Sequence, residues 1–486
     1  NIYDNYYYLG GDSILAAKIA GQLKKCTNLS IEIADILKHT TIAEFAEHLE
    51  QNNNKKEGIN SDIFEIKAVA EKEYYSAAPV QKGMFLLSHI GDIGTSYNVT
   101  EAFLIEGMLD IQNFKDSFKQ LIGRHEVLRT SIHMVDGDIV QRVHKDMELP
   151  IEFFEVKEDS KEGIKEKVKE IVQKTVQPYN LSRLPLMKLI LIRISEEKYI
   201  FILDMHHVIV DGVSINILMK EFRALYEGLS LPDTKLQYRD FAEWQNEFLK
   251  TEYIAKEKEY WESVFKEPIE VLNMPLDFKR PENQTFDGDN FVFTVPCDMT
   301  EKLNKLARNQ NVTLNTLLMA IYNVLLNKYT GQKDITVGSI VAGRRTENVQ
   351  DVIGTFINFL PVRNSICEED SFAKFLHSVA SRVHDAYNNQ DYPFDRIVED
   401  LSFELEPSRN PLFDTMLIFH NEFNSDVDSS IGDLKFSRYW IGRSSSKLDF
   451  KIDINIDGSE LIFTLEYNKS LFTRESMENF AKKFNQ

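Results

Sequence analysis

Eight consecutive residues, Gln51-Asn52-Asn53-Asn54-Lys55-Lys56-Glu57-Gly58, carry almost no side chain able to build a core, and regular apolar patterns flank them on both sides. A chain interrupted in this way folds as two units. It divides into a first unit over residues 1–52, a linker over 53–73, a lobe over 74–250 and a second lobe over 251–486. In the first unit Ile14, Leu15, Ile19 and Leu23 fall at helical spacing from Ser13 to Lys25, behind a Gly10-Gly11 turn. Two shorter helical patterns follow, Ile31–Lys38 and Ile42–Gln51, with Thr40-Thr41 placed to cap the second. That unit is small and all-α.

Beyond the linker the periods alternate, which predicts a mixed α/β architecture. Helices are expected over Ile111–Ile122 and Ser214–Tyr226, with strands near Ile139–Val143, Leu186–Ile194 and Tyr199–Met205. A polar, proline-containing stretch, Leu276–Asn290, opens the second lobe ahead of a strand at Phe291–Val295 and a long helix, Thr300–Tyr329, that Asn309 and Asn311 are placed to interrupt. Near the end, Leu448–Ile456 and Leu461–Tyr467 alternate apolar and polar residues around Asp457-Gly458, a hairpin signal.

Acidic residues outnumber basic ones, 76 to 56, and the net charge of −20 opposes attraction to nucleic acid or anionic membrane. The strongest apolar runs, Leu184–Ile194 and Tyr199–Val210, are broken by Lys188, Arg193 and Asp204, so they read as buried strands and not membrane spans. Cys26, Cys297 and Cys367 form no CxxC pair and no spaced set for a disulfide framework or zinc site, which fits a reducing cytoplasm. No export signal opens the chain, and the absence of an initiating Met suggests a fragment.

Two local patterns carry chemistry. Ser13, after two glycines and an acid, suits either a helix cap or an exposed hydroxyl at a helix N-terminus that tolerates a phosphodiester. Its context, Asp4-Asn5-Tyr6-Tyr7-Tyr8-Leu9-Gly10-Gly11-Asp12-Ser13-Ile14, closely resembles the signature of peptidyl carrier domains of nonribosomal peptide synthetases. The resemblance implies a covalent 4′-phosphopantetheine on Ser13 and a four-helix carrier whose first helix is missing from this sequence. Asp12 stands where many carriers have His, a form often associated with epimerization.

The second pattern is Met205-His206-His207-Val208-Ile209-Val210-Asp211-Gly212, at the end of an expected strand and ahead of an expected helix. Adjacent side chains on an extended segment face opposite ways, so one histidine is chemical and the other structural. Three readings stand side by side: a buried hydrogen-bonded pair, a metal site for which His207 and Asp211 lack a third convergent ligand, and a neutral imidazole that accepts a proton from, or orients, an attacking amine or alcohol. A buried Asp211 needs an arginine partner.

HHxxxDG resembles the active-site motif of condensation domains and, more distantly, of chloramphenicol-acetyltransferase-like acyltransferases. Arg124–Thr130, Tyr238–Trp244, Ile353–Asn358, Gln390–Asp395 and Ser408–Phe413 resemble further condensation motifs in the same order, and Ser76–Leu87 loosely resembles the first. Asn389 and Val213 depart from residues common in the family, His and Trp. The resemblance implies two chloramphenicol-acetyltransferase-like lobes in a V with a tunnel at their junction. It implies amide formation between an upstream carrier-bound acyl thioester and the amine of a downstream carrier-bound aminoacyl thioester. His207 would meet the amine, with His206 beside it, Gly212 allowing close approach or a positive φ, and Asp211 paired with Arg344 or Arg345. Arg124 and Arg129 either organise the first lobe or are ordinary helix-end arginines.

Expected partners are upstream and downstream synthetase domains, adenylation and carrier, and a phosphopantetheinyl transferase; no metal, nucleic acid or membrane is expected, and a monomer is. A linker of about 20 residues reaches on the order of 70 Å when extended. The alternatives are epimerization of a carrier-bound aminoacyl thioester, a free-standing acyltransferase and a non-catalytic recruitment module.

Overall fold

The computed structural model describes residues 1–6, 16, 19, 23, 31, 33–52, 61–90, 93–158, 160–401, 406–420, 430–442, 445–458 and 460–486. Ser13 and the glycines before it lie outside these residues. In the first unit Ala16, Ile19 and Leu23 are helical, and helices follow at Ile33–Lys38 and Ile42–Asn52. Ala16, Ile31 and Ile36 are buried together, with Tyr6, Phe45 and Leu49 packed on them. Thr41 opens the last helix: its hydroxyl accepts from the Glu44 N–H at 3.1 Å, and the Glu44 carboxylate accepts from the Thr41 N–H at 3.3 Å.

Among the described residues, the rest of the chain supplies fifteen strands. These are β1 (Tyr75–Ser76), β2 (Asn98–Glu106), β3 (Thr130–Val135), β4 (Asp138–Val143), β5 (Ile151–Glu155), β6 (Met187–Ser195) and β7 (Lys198–His206), then β8 (Gly288–Val295), β9 (Asp334–Val341) and β10 (Asn358–Ser365). They continue with β11 (Thr415–His420), β12 (Ser430–Ile431), β13 (Leu434–Arg438), β14 (Phe450–Asp457) and β15 (Glu460–Asn468). One six-stranded sheet has the order β12-β13-β2-β7-β6-β5 and the other β10-β9-β11-β14-β15-β8; β1, β4 and β3 form a small third sheet.

In the first large sheet β7 is central and covered on both faces, so every residue from Tyr199 to His206 is buried and the strand reads as a continuous apolar run. On one face Phe114, Phe118 and Phe222, from helices Ile111–Arg124 and Gly212–Tyr226, cluster on Phe201. On the other face Ile190, Ile192, Ile200 and Ile202 pack with Val168 of helix Lys161–Thr175. Asp204 and Lys188, the charges that interrupt the two apolar runs, sit opposite one another in the β6–β7 register. Asp204 accepts hydrogen bonds from Thr100, Tyr179 and Asn98, so the charge is buried with partners.

The second sheet packs against helices Leu314–Thr330, Phe372–Asn388 and Arg474–Asn485. The long helix foreseen over 300–329 is two helices: Cys297–Asn309 ends, Asn311 takes φ +52°, and Thr313 caps the next. The hairpin of β14 and β15 closes with Asp457 opposite Glu460 and Gly458 at φ +59°.

Two features differ from the linear division. Residues 430–438, from the second lobe's part of the chain, form β12 and β13, and β13 pairs with β2 of the first lobe. They cover what is otherwise an open sheet edge and bury Phe436 in the first core. The linker is also shorter than 53–73: Ile66 is buried in the first lobe, Phe64 packs on Phe248 and Tyr253, and the Trp244 indole donates to the Ile63 carbonyl at 2.9 Å. Apolar side chains spaced through a polar stretch anchor its second half. Among the described residues no helix is long and apolar enough to cross a membrane.

Candidate active site

β7 delivers the histidine pair to the end of the first sheet, and the two rings part. His206 is 3% exposed. Its N–H donates to the Leu186 carbonyl at 2.9 Å, and its Nδ1 accepts from the Val208 N–H at 3.1 Å. The ring stacks on Tyr97 and meets Tyr179 edge-on. Burial, reinforced by His207 and Lys447, lowers its pKa to about 3, so it is neutral and locked. His207 is half-buried, and its N–H donates to the Tyr97 carbonyl at 2.8 Å. Nδ1 of His207 is enclosed, and the backbone of His207 and Val210 lies against the ring and favours its protonated form. Burial, then Lys447, lowers its pKa to about 4, against the opposing pull of Asp211.

Asp211 is fully buried at the start of helix Gly212–Tyr226. Its Oδ1 caps the helix by accepting from the Ser214 N–H at 2.7 Å, and Oδ2 accepts from the Phe356 N–H at 3.0 Å. Arg344 Nη2 lies 3.2 Å from Oδ1 and donates to Ser214 Oγ at 2.8 Å, while Nη1 donates to the carbonyls of Val349 and Val352, each at 2.6 Å. The guanidinium stacks 4.0 Å above the Phe356 ring centre. Ser214 Oγ donates to the Gly354 carbonyl at 2.7 Å, and Tyr238 OH to that of Thr355 at 2.5 Å. One buried knot therefore joins the loop behind His207 to the second-lobe segment 344–356.

Two glycines allow this approach. A Cβ on Gly354 would lie 1.9 Å from the Tyr238 ring, and one on Gly343, at φ +64°, would lie 1.9 Å from the Phe356 carbonyl oxygen. Gly212 behaves otherwise than expected. It opens a helix without a positive φ, and a Cβ there would meet nothing within 4 Å. Its lack of a side chain keeps the space in front of the helix clear.

Arg345, the other candidate for Asp211, pairs with Asp391 instead. Asp391 and Tyr392 both donate their N–H groups to Glu257, each at 3.0 Å. Asn358 clamps the same turn, donating to the carbonyls of Gln390 and Tyr392 and accepting from the Phe394 N–H. Arg124 and His125 bind Glu221, and Arg129 binds the His144 carbonyl, so these residues tie the first lobe together away from the histidines. A cavity lined by Phe241, Arg345, Asn358, Gln390 and Asp395 draws on both lobes and includes neither histidine. Sequence reasoning missed Tyr97 and Lys447, each a lone residue outside any contiguous pattern, and gave Ser214, just after the histidine motif, no role beside Arg344.

Residues 71–486 match the condensation domain family, and residues 3–49 match the phosphopantetheine attachment site. The chain belongs to the condensation-domain family of nonribosomal peptide synthetases. It is 38% identical over 483 residues to tyrocidine synthase 3 of Brevibacillus parabrevis and 36% identical over 483 residues to bacitracin synthase 3 of Bacillus licheniformis. Each alignment takes in 99% of this chain and 7% of the relative, so the chain spans a small part of the synthases it matches. Among solved structures, the X-domain from teicoplanin biosynthesis superposes with a TM-score of 0.78 at 19% identity, covering 87% of this chain and 95% of that one. A four-domain nonribosomal peptide synthetase, holo-AB3403 bound to AMP and glycine, gives 0.79 at 21% identity, covering 86% and 33%. The condensation domain is thus an amide-forming acyltransferase with an attachment domain for phosphopantetheine before it.

Proposed function

We propose that this condensation domain joins an upstream carrier-bound acyl or peptidyl thioester to the amine of a downstream carrier-bound aminoacyl thioester, with His207 as the group that meets the amine. The observation that carries this reading is the division of labour between the histidines. His206 is buried, neutral and held at Nδ1 by the Val208 N–H; His207 is neutral but only half-buried, so part of its surface remains open to a ligand. In the reaction the amine nitrogen attacks the thioester carbonyl, the C–S bond breaks, and the proton lost by nitrogen ends on the departing thiol. A neutral imidazole can accept a hydrogen bond from the attacking N–H and so orient its lone pair, which favours positioning over strong base catalysis. Asp211 and Arg344 act behind it, fixing the loop and joining the lobes.

Ser13 is the attachment point in this reading. Helical Ala16 is fully buried and Ser13 lies three residues before it, at the start of the same expected helix, where a phosphodiester is tolerated. When bound, 4′-phosphopantetheine supplies the thiol that bears the acyl group. The partners are the neighbouring adenylation and carrier domains and a phosphopantetheinyl transferase, the chain acts as a monomer, and the cytoplasm, where Cys297 and Cys367 stay reduced, is its compartment.

The test loads Ser13 with a peptidyl-pantetheine, adds an aminoacyl-loaded downstream carrier and follows the amide by mass spectrometry, comparing the native chain with Ser13→Ala and His207→Ala. Product that requires Ser13 and falls at least 100-fold, in order of magnitude, without His207 supports the reading. Exchange of the donor α-proton with no amide formed would instead support epimerization.

A further inference from the structure

Lys447 enters the histidine site from the opposite lobe. It precedes β14, and its own backbone is pinned within the second lobe: its carbonyl accepts from Gln284 Nε2 at 2.7 Å and from Asn410 Nδ2 at 2.5 Å. The residues beside it are held too. The Ser446 N–H donates to the Phe286 carbonyl, the Asp449 N–H to that of Asp414, and Arg280 pairs with Asp449. From this fixed base the side chain crosses to the first lobe, where its ammonium lies 4.1 Å from the centre of the Tyr97 ring. Tyr97 is bonded to the histidine pair in two ways: its carbonyl receives the His207 N–H, and its ring stacks on His206 at 6.2 Å. One line of contacts therefore runs from a second-lobe cation, through an aromatic face, to the backbone of His207.

We propose that Lys447 is a positioning residue for His207, delivered across the cleft by the second lobe, so that the reaction centre draws on both lobes. The proposal rests on the reading of His207 as the group that meets the acceptor amine. A cation over a tyrosine face is attracted by the ring and holds it in place, and Tyr97 in turn holds the His207 backbone. The same cation disfavours a second positive charge on the imidazole.

The charged and titratable groups around His207 come from several elements. Asp211, after the turn, favours the imidazolium; Lys447 opposes it and the neighbouring His206 ring borders it; Arg344 balances Asp211; and Tyr97, beneath Lys447, also feels the charge of Asp395 of the second lobe. Lys447 stands second only to burial in lowering the pKa of His207. Without it burial alone of these two lowering influences remains, and His207 takes up a proton nearer neutrality.

The experiment uses the full chain and the variants Lys447→Met, Lys447→Arg and Tyr97→Leu. Two quantities are read: the titration of His207 by NMR of 15N-histidine-labelled protein, assigned with His207→Gln, and the pH profile of kcat/KM for amide formation. Lys447→Met is expected to raise the His207 pKa by about one unit and to move the acid limb of kcat/KM upward with it. Lys447→Arg restores both to native values, and Tyr97→Leu moves both in the direction of the Met variant. An unmoved His207 titration in a folded Lys447→Met chain overturns the proposal, as does an Arg variant that behaves like Met. If His207→Ala itself leaves amide formation intact, the reading of His207 has failed; the NMR titration still reports separately on whether Lys447 acts on that ring.

Discussion

Replacing Arg344 by Met tests the knot that joins the lobes behind His207. The guanidinium serves four acceptors: Asp211 Oδ1, Ser214 Oγ and the carbonyls of Val349 and Val352. Met fills a similar length of the channel and removes the charge and every one of these bonds. Asp211, with no exposed surface, keeps the N–H groups of Ser214 and Phe356 but loses its counter-ion. Stranding a buried carboxylate in this way costs about 3–5 kcal/mol.

A cooperative unit of roughly 400 residues has an unfolding entropy of about 0.85 kcal/mol/K, so the expected fall in Tm is about 4–6 °C. The assay is thermal unfolding at fixed scan rate and pH, with amide formation measured on the same samples. Asp211→Asn keeps an oxygen for the helix cap but leaves Arg344 unpaired. Combining it with Arg344→Met removes both charges, so the double variant should be less damaged than the sum of the singles by about 2 kcal/mol. A Tm change below about 1 °C for Arg344→Met, or strict additivity in the cycle, would refute the argument that the pair is held by mutual charge.

His206→Ala should destabilise the chain by about 2–4 kcal/mol in a denaturant titration, because it empties a site between Tyr97 and Tyr179 and strands the Val208 N–H. Gly354→Ala should fail to give a native melting transition or lose more than about 3 kcal/mol, since its Cβ would fall 1.9 Å from the buried Tyr238 ring. The folded pKa of His207, about 4, lies below its unfolded value of 6.5, so the unfolded chain takes the proton first and stability falls as pH drops through that interval. His207→Gln should therefore flatten the stability profile between pH 6.5 and 4 by up to about 1.4 kcal/mol per unit, measured as the difference from native protein. Phe64→Ser with Trp244→Phe should free the anchored half of the linker and roughly double the tether from about ten residues, which lowers the effective concentration of the carrier at its lobes about threefold in a FRET-detected docking assay; an unchanged docking signal would contradict the anchor.

The parts of the fold legible in the sequence are those in which one physical period runs undisturbed. β6 and β7 are covered on both faces, so their apolar runs are continuous; helix Gly212–Tyr226 and the β14–β15 hairpin have one covered face and a clean repeat. β12 and β13 are not legible because they are two and five residues long and join the sheet through β13, whose partner β2 lies more than 300 positions earlier in the chain. The anchor at Ile63–Ile66 is illegible for a related reason: three apolar side chains in a polar stretch make no period, and their partners, among them Trp244, Phe248 and Tyr253, lie far along the chain.

The site divides along the same line. His206, His207 and Asp211 stand within six residues and announce themselves together. The sequence leaves the arginine that binds Asp211 open between Arg344 and Arg345, because adjacent identical side chains carry no local distinction. Position separates them: one lies beneath Phe356 with Ser214 and two carbonyls in reach, and the other faces Asp391. Lys447 had no such company. A single lysine before a strand reads as a solvated surface charge unless the opposite lobe is known to bring Tyr97 beneath it. Contiguous motifs thus disclose the half of the reaction centre that one lobe carries, whereas the half that the other lobe adds becomes visible only when the two sheets are placed together.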